Sequence, residues 1–386
     1  MTTETIKPLI LVVDDTPANL SLMTGILQDY YQVKAATNGE KAIKIANSAT
    51  PPDLILLDIM MPEMDGYQVC RHLKSDPQTS EIPIIFLTAM TEAEDEALGL
   101  ELGASDYITK PVSPPIALAR IKTQITLYHQ RKALIESQRK LAAELNEAAE
   151  YVLGVLPDPI RQGKVCTEWK HIPSTSLGGD AFGYHWVDTD HLAIYLLDVC
   201  GHGVGSALLS VSAINALRSQ SLKEADFTSP SSVLSSLNNA FQMEDHSNKF
   251  FTAWYAVYNR VNGELRYASA GHPPAFIFTT GTSKDMKMQA LSTGNIAIGY
   301  MPDMAFEEAS LIIEGPSKLY VYSDGVYELT QRDETMLTLS EFMGIIERMT
   351  DISRSQTEEI YAAMVSLKAD PGPFDDDFSL LEIKFS

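Results

Sequence analysis

Residues 54–66 read LILLDIMMPEMDG, and the two halves of this stretch have opposite characters. Leu54–Leu57 is an unbroken apolar run, the pattern of a short strand buried on both faces, and it ends on an acid, Asp58. The second half, with Pro62, Asp65 and Gly66, is turn chemistry leading into a helical stretch at Gly66–Lys74. Working outward, the same alternation repeats. Strands are expected at Ile10–Val13, Val33–Ala36, Ile84–Thr88 and Asp106–Ile108, and helices at Asn19–Asp29, Glu40–Ala46, Glu92–Leu102 and Ile116–Tyr128. Five such units with unalternating strands predict an α/β domain: a doubly wound, five-stranded parallel sheet with helices on both faces.

Open parallel sheets bind ligands at the carboxyl ends of their strands. Asp14 and Asp15 end the first strand, Asp58 the third, Thr88 the fourth, and Lys110, followed by Pro111, the fifth. Three carboxylates suit a hard cation such as Mg²⁺. That cation and an ammonium can neutralise an incoming phosphoryl group, leaving one carboxylate free to attack phosphorus. A lone Asp at such a junction is usually a helix N-cap, but four features in order argue against that reading.

With the acid pair, DIMMPEMDG, LTAM and ITKP in order, residues 6–127 resemble the CheY-like (flavodoxin-like) receiver domains of bacterial response regulators. The resemblance implies that Asp58 is the phosphoacceptor and that Asp14, Asp15, Asp58 and the Met60 carbonyl hold Mg²⁺. It also implies that Thr88 and Tyr107 form the switch, that Lys110 contacts the phosphoryl group, and that the Lys110–Pro111 peptide is cis.

The helical signal then continues past residue 127. Leu127, Leu134, Leu141 and Ala148 recur every seventh residue, with Leu145 and Val152 at the complementary positions and charged residues between. Arg131 and Gln138 interrupt the stripe, so a coiled coil here is short; packing on the chain's own surface is the plainer alternative. The expected domains are a receiver at 1–127, a helical linker at 128–157, ended by Leu156-Pro157-Asp158-Pro159, and a third region at 158–386.

From about Val165 onward the pattern is mainly β. Strands are expected at His191–Leu197, Phe251–Asn259, Leu265–Ala270, Ala275–Thr279, Lys318–Tyr322 and Phe378–Phe385. Helices are expected at Val204–Leu222, Ser231–Asp245, Leu339–Met349 and Gln356–Lys368. Acids recur beside glycines or at strand ends: Asp180 in SLGGDAFGY, Asp198 in LLDVCGHGVG, Asp324 in VYSDGVYEL, and Asp375, Asp376 and Asp377 in FDDDFSLLEI. No Cys or His pattern has zinc spacing, and carboxylate-only sites select Mg²⁺ or Mn²⁺. A pair of such ions can activate water toward a phosphate ester.

These blocks, with GHP in SAGHPPAF, resemble the protein phosphatase 2C-like (PPM-type) serine/threonine phosphatases, in the bacterial branch that serves sporulation and stress responses. The resemblance implies a C-terminal α/β sandwich of antiparallel sheets flanked by helices. It also implies that Asp180, Asp198, Asp324 and Asp376 bind two Mn²⁺ or Mg²⁺ ions, with Asp198 bridging and the Val199 carbonyl as a further ligand. The register within Asp375–Asp377 stays open by one residue, with Asp376 the best fit. Ala181 and Gly183 stand where an aromatic and a second aspartate are common, and Cys200 stands where serine is usual. His202 and His272 invite a general-acid role, against which a turn residue beside glycine is the plainer reading. Cys200 reads more simply as a small buried thiol than as a redox switch, since no cationic neighbour is evident.

Composition bounds the remainder. The 386 residues carry 29 Lys+Arg against 51 Asp+Glu, a formal charge of −22, which argues against a nucleic-acid partner or an anionic membrane surface. No apolar run approaches the ~20 residues of a membrane span, the start lacks signal-peptide character, and three scattered cysteines fit a reduced, cytoplasmic setting. The expected function is a two-component response regulator, phosphorylated by a sensor histidine kinase and controlling a phosphatase. By resemblance the substrate is a phosphorylated anti-sigma-factor antagonist, and the linker suggests a homodimer. A non-catalytic adaptor that holds a partner protein is the rival reading.

Overall fold

The computed structural model describes residues 7–89, 101–280 and 286–386. Its contacts divide the chain into two compact units, Met1–Leu141 and Ala142–Ser386.

In the first unit the strands are β1 (Leu9–Val13), β2 (Gln32–Ala36), β3 (Leu54–Asp58), β4 (Ile84–Thr88) and β5 (Asp106–Thr109), all parallel in the order β2-β1-β3-β4-β5. The unalternating runs have a direct cause. Leu11, Val13, Ile55 and Leu57 pack into one core, while Ile10, Val12, Leu54 and Leu56 pack into another on the opposite face. Around the sheet lie α1 (Pro17–Leu27), α2 (Gly39–Ala46) and α3 (Gly66–Ser75). The helix expected at Glu92–Leu102 falls largely outside the described residues.

The helix expected at Ile116–Tyr128 does not stop there: α4 runs unbroken over Pro114–Val155. Its first turns bury Ala117, Ile121 and Ile125 against the sheet. The division between the two units falls within it, at Leu141 and Ala142. Leu127, Leu134 and Leu141 are 54%, 59% and 58% exposed, whereas Leu145 and Val152 are half-buried.

The second unit contains two five-stranded antiparallel sheets. One is ordered β13-β10-β9-β8-β7 and the other β12-β11-β14-β15-β6. The strands are β6 (Val165–Ile172), β7 (Ala181–Trp186), β8 (His191–Val199), β9 (Phe251–Asn259), β10 (Glu264–Ala270), β11 (Ala275–Thr280), β12 (Met286–Leu291), β13 (Ala309–Ile312), β14 (Ser317–Tyr322) and β15 (Phe378–Phe385). Leu196, Trp254, Val321 and Leu381 fill a core shared by strands of both sheets. Helices α5 (Val204–Arg218) and α6 (Pro230–Ala240) bury their apolar faces on the first sheet, while α7 (Leu339–Met349) and α8 (Thr357–Leu367) do so on the second. This is the expected sandwich flanked by helices. The six strands expected from the sequence are the interior ones. The four without a sequence expectation, β6, β7, β12 and β13, are the edges; the partly exposed residues of β6, β12 and β13 give a weak apolar signal, whereas β7 is buried over its first four residues but interrupted by Gly183.

The helix expected over Ser231–Asp245 is shorter: α6 ends at Ala240, and Met243–Asp245 forms a separate 3₁₀ turn. Likewise α5 ends at Arg218 rather than Leu222, where Gln220 adopts a positive φ of 52°.

Candidate functional site

Each unit gathers acids at strand ends. In the first, β3 delivers Asp58 and the turn after it is built around Gly66. A Cβ at position 66 would lie 2.4 Å from the Asp58 carbonyl oxygen, so glycine alone lets α3 start this close to the strand. Asp65 caps that helix by accepting the Gln68 N–H at 2.7 Å, and the Gln68 side chain accepts the Asp65 N–H at 3.1 Å.

Asp14 and Asp58 are buried and Asp15 is exposed, and one oxygen from each lies within 4.8 Å of the others. The Lys110 ammonium reaches Asp14 at 3.0 Å and Asp58 at 2.9 Å. Asp14 also accepts the Thr16 N–H at 2.9 Å and both its oxygens lie 3.0 Å from the Asn19 amide nitrogen. Burial raises the Asp58 pKa, with Lys110 opposing that shift and Asp14 adding to it. Burial works against the Lys110 charge too, but the two carboxylates outweigh it and hold its pKa above the usual value.

Thr88 is buried at the end of β4, and Tyr107 lies half-buried on β5 with the Arg120 guanidinium 5.2 Å over its ring. The Lys110–Pro111 peptide is cis. Met60 projects its side chain into solvent, 64% exposed.

In the second unit, β8 ends at Val199 and the chain turns through Gly201 (φ 77°) and Gly203 (φ 88°) before α5. Only residues tolerant of the left-handed region make this turn, which accounts for the two glycines of DVCGHG. Asp198 is half-buried and its pKa is pushed up to about 7, first by burial and then by the negative charges of Asp324, Asp376 and Asp377. Asp324, at the start of a 3₁₀ turn, is pushed up to about 6 by burial and by Asp376. Burial, Asp198 and Asp377 raise Asp180 well above the ordinary carboxylate range, and its Oδ2 is buried with no hydrogen-bond partner among the described residues. Asp376 is exposed, yet desolvation by its surroundings still raises its pKa.

These four acids repel one another without forming a tight triad. Among the described residues, only Asp14, Asp15 and Asp58 bring three ligand atoms within 4.8 Å. The donors are nonetheless all oxygens, and an orphaned buried carboxylate oxygen among mutually raised acids fits a divalent cation.

Other sequence readings are refined. His272 is buried, its Nδ1 lies 2.8 Å from the Thr252 hydroxyl, and burial lowers its pKa to about 3, so it is neutral and unsuited to acid catalysis. His202 is exposed and within electrostatic reach of Asp376. Cys200 is half-buried, not fully buried; its thiol accepts the Phe250 N–H at 3.3 Å, while the Lys249 ammonium lies 3.4 Å from its carbonyl oxygen. A Cβ at Gly183 would fall 2.5 Å from the Tyr195 ring, so that ring fills the space a side chain at this position would need.

The fold and these two acidic centres define a receiver domain joined to a protein phosphatase 2C-like domain. The chain belongs to the stage II sporulation protein E (SpoIIE) family, whose match covers residues 188–386, just over half of it. The response regulator receiver domain matches residues 10–122. Asp180 lies ahead of the SpoIIE match. In fold, the second unit is similar to the SiaA-PP2C domain of Pseudomonas aeruginosa, 21% identical with a TM-score of 0.55, covering 65% of this chain and 99% of that one.

A probable cyclic di-GMP phosphodiesterase of Vibrio cholerae is 45% identical over 136 residues, 35% of this chain and 31% of that protein. The response regulator PleD of Caulobacter vibrioides is 47% identical over 115 residues, 30% of this chain and 25% of PleD. The chain thus spans less than a third of either relative.

Proposed function

We propose that phosphorylation of Asp58 controls a metal-dependent phosphoserine/phosphothreonine phosphatase in the second unit. The observation that carries this reading is the coexistence of a lysine-bridged acid cluster in the first unit with an acid cluster in the second whose members, among the described residues, pair with no Lys or Arg. In the first, Asp58 is the nucleophile toward phosphorus, Lys110 stands where it can hold the phosphoryl oxygens, and Asp14 and Asp15, with the Met60 carbonyl, would hold Mg²⁺. Thr88 and Tyr107 report the phosphoryl group, and a sensor histidine kinase is the phosphodonor.

In the second unit Asp180, Asp198, Asp324, Asp376 and the Val199 carbonyl would hold two Mn²⁺ or Mg²⁺ ions. Such ions supply Lewis acidity toward a phosphate ester and its attacking water. The protein's part is to hold these carboxylates close, and to leave solvent access at Asp376. The substrate proposed is a phosphorylated anti-sigma-factor antagonist, in a cytoplasmic partner-switching pathway. The exposed stripe Leu127, Leu134 and Leu141 favours a homodimer through α4.

The test is hydrolysis of a phosphoserine peptide by the full chain with Mn²⁺, before and after treatment with a small-molecule phosphodonor. The reading expects turnover that changes with labelling of Asp58. A chain that takes the label yet hydrolyses nothing in either state favours the adaptor.

A further inference from the structure

We infer that Asp377 is a positioning residue that sets the places of three of the four candidate metal acids relative to one another. The inference rests on the phosphatase reading and deepens it.

Asp377 is 2% exposed. One carboxylate oxygen accepts the Ser174 N–H at 2.8 Å and the Ser174 hydroxyl at 3.0 Å. The other accepts the Gly179 N–H at 2.6 Å and the Asp180 N–H at 3.2 Å. Four protein donors thus occupy the capacity of two oxygens, so this carboxylate is spent on holding the chain and a cation would have to displace those donors. Asp377 therefore differs in kind from exposed Asp376.

The segment so held is 174–180, which ends in Asp180 and lies about 200 positions away in sequence. The main chain of Asp377 holds a second segment. Its carbonyl oxygen accepts the Ser323 hydroxyl at 2.9 Å, immediately before Asp324. The third acid, Asp376, is its covalent neighbour, and its Oδ1 accepts the Asp377 N–H at 2.8 Å.

Two glycines show how closely these segments meet. A Cβ at Gly178 would lie 2.3 Å from the Asp377 carboxylate, and one at Gly325 would lie 2.4 Å from its carbonyl oxygen. The chain has given up two side chains so that 178–180 and 324–325 can close on this one residue. Acids that repel one another need such an anchor, because nothing in their own charges holds them together.

Asp377→Asn keeps the shape but turns one acceptor into a donor facing buried N–H or hydroxyl groups, leaving them unsatisfied. Ser174→Ala is the milder variant, removing one of the four bonds. Both are made in the full chain and read three ways: hydrogen exchange over residues 174–180, Mn²⁺ affinity by calorimetry, and melting temperature. For Asp377→Asn the expected result is faster exchange in that segment and Mn²⁺ binding weakened about 10–100-fold, the range seen when groups behind metal ligands are lost. Ser174→Ala shifts both readouts in the same direction by a few-fold.

A folded Asp377→Asn that melts earlier but keeps wild-type exchange and Mn²⁺ affinity overturns the inference, since Asp377 is then an ordinary core residue. If Asp377→Asn does not fold, Ser174→Ala decides, and unchanged affinity and exchange again overturn it. A wild-type chain that takes up no Mn²⁺ overturns the metal reading and this inference together. A wild-type chain that binds Mn²⁺ no better than Asp377→Asn overturns this inference alone.

Discussion

Two acidic centres, one at each end of the chain, solve the same electrostatic problem in opposite ways. In the receiver, Asp14 and Asp58 are buried with Lys110 between them, so much of the repulsion is neutralised within the protein. In the phosphatase unit, among the described residues, no lysine or arginine forms an ion pair with Asp180, Asp198, Asp324 or Asp376, and the carboxyls of all four are raised. The difference teaches what each centre awaits. A site with its own ammonium is near balance and can accept a phosphoryl group. A site of uncompensated acids is out of balance until divalent cations arrive.

The largest effect that could break this comparison is on turnover. Asp198→Asn should lower Mn²⁺-dependent aryl phosphate hydrolysis by about 10³-fold or more, measured as initial rate in the full chain. In the absence of metal the same variant should be stabilised at pH 8, by about 1–3 kcal/mol, because it removes a charge that its neighbours repel. Lys110→Ala should do the reverse in the receiver. With Lys110 only a quarter exposed, its loss strands two buried carboxylates and costs about 1–3 kcal/mol, of which Mg²⁺ should restore part. Denaturant unfolding with and without the ion checks both.

The pH dependence sharpens the contrast further. Asp198 at about 7 and Asp324 at about 6 bind protons more tightly in the folded chain than in the unfolded one. Their contribution to metal-free stability is therefore full below about pH 4 and lost as pH rises through 6 and 7. Mn²⁺ competes with those protons, so its affinity should rise over the same window. Melting curves at pH 5 and pH 8, with and without Mn²⁺, should show opposite trends, and Asp198→Asn should flatten the metal-free one. The smallest effect concerns the helix between the two units: Leu134→Glu with Leu141→Glu should leave melting nearly unchanged, because both residues are exposed, while shifting sedimentation from dimer to monomer.

Much of this was legible in the sequence, and the exceptions have a pattern. The central receiver strands β1, β3 and β4 and their terminal residues stood out because both faces of these strands are buried, so apolar runs and chemistry coincide in the sequence. In the second unit the interior strands were equally plain, but β6, β12 and β13 bury too little to leave a clear pattern, and β7 is short and broken by Gly183. The acids Asp180, Asp198 and Asp324 stood out beside glycines or at strand ends, and the family resemblance picked them as ligands together with Asp376, the register within Asp375–Asp377 staying open by one. The part played by Asp377 could not, because its partners Ser174, Gly179 and Ser323 are distant in sequence and the triple DDD looks uniform until the fold turns one carboxylate inward and another outward. The neutrality of His272 was hidden for the same reason: burial is a property of the fold and not of the GHP block.

The central claim is that the second acidic centre is incomplete without divalent cations. It is tested most directly by the rate of aryl phosphate hydrolysis by the full chain at pH 7.5, stripped with a chelator and then titrated with Mn²⁺. The stripped protein should show no turnover, with a saturable return on added Mn²⁺. Undiminished hydrolysis after stripping would contradict it.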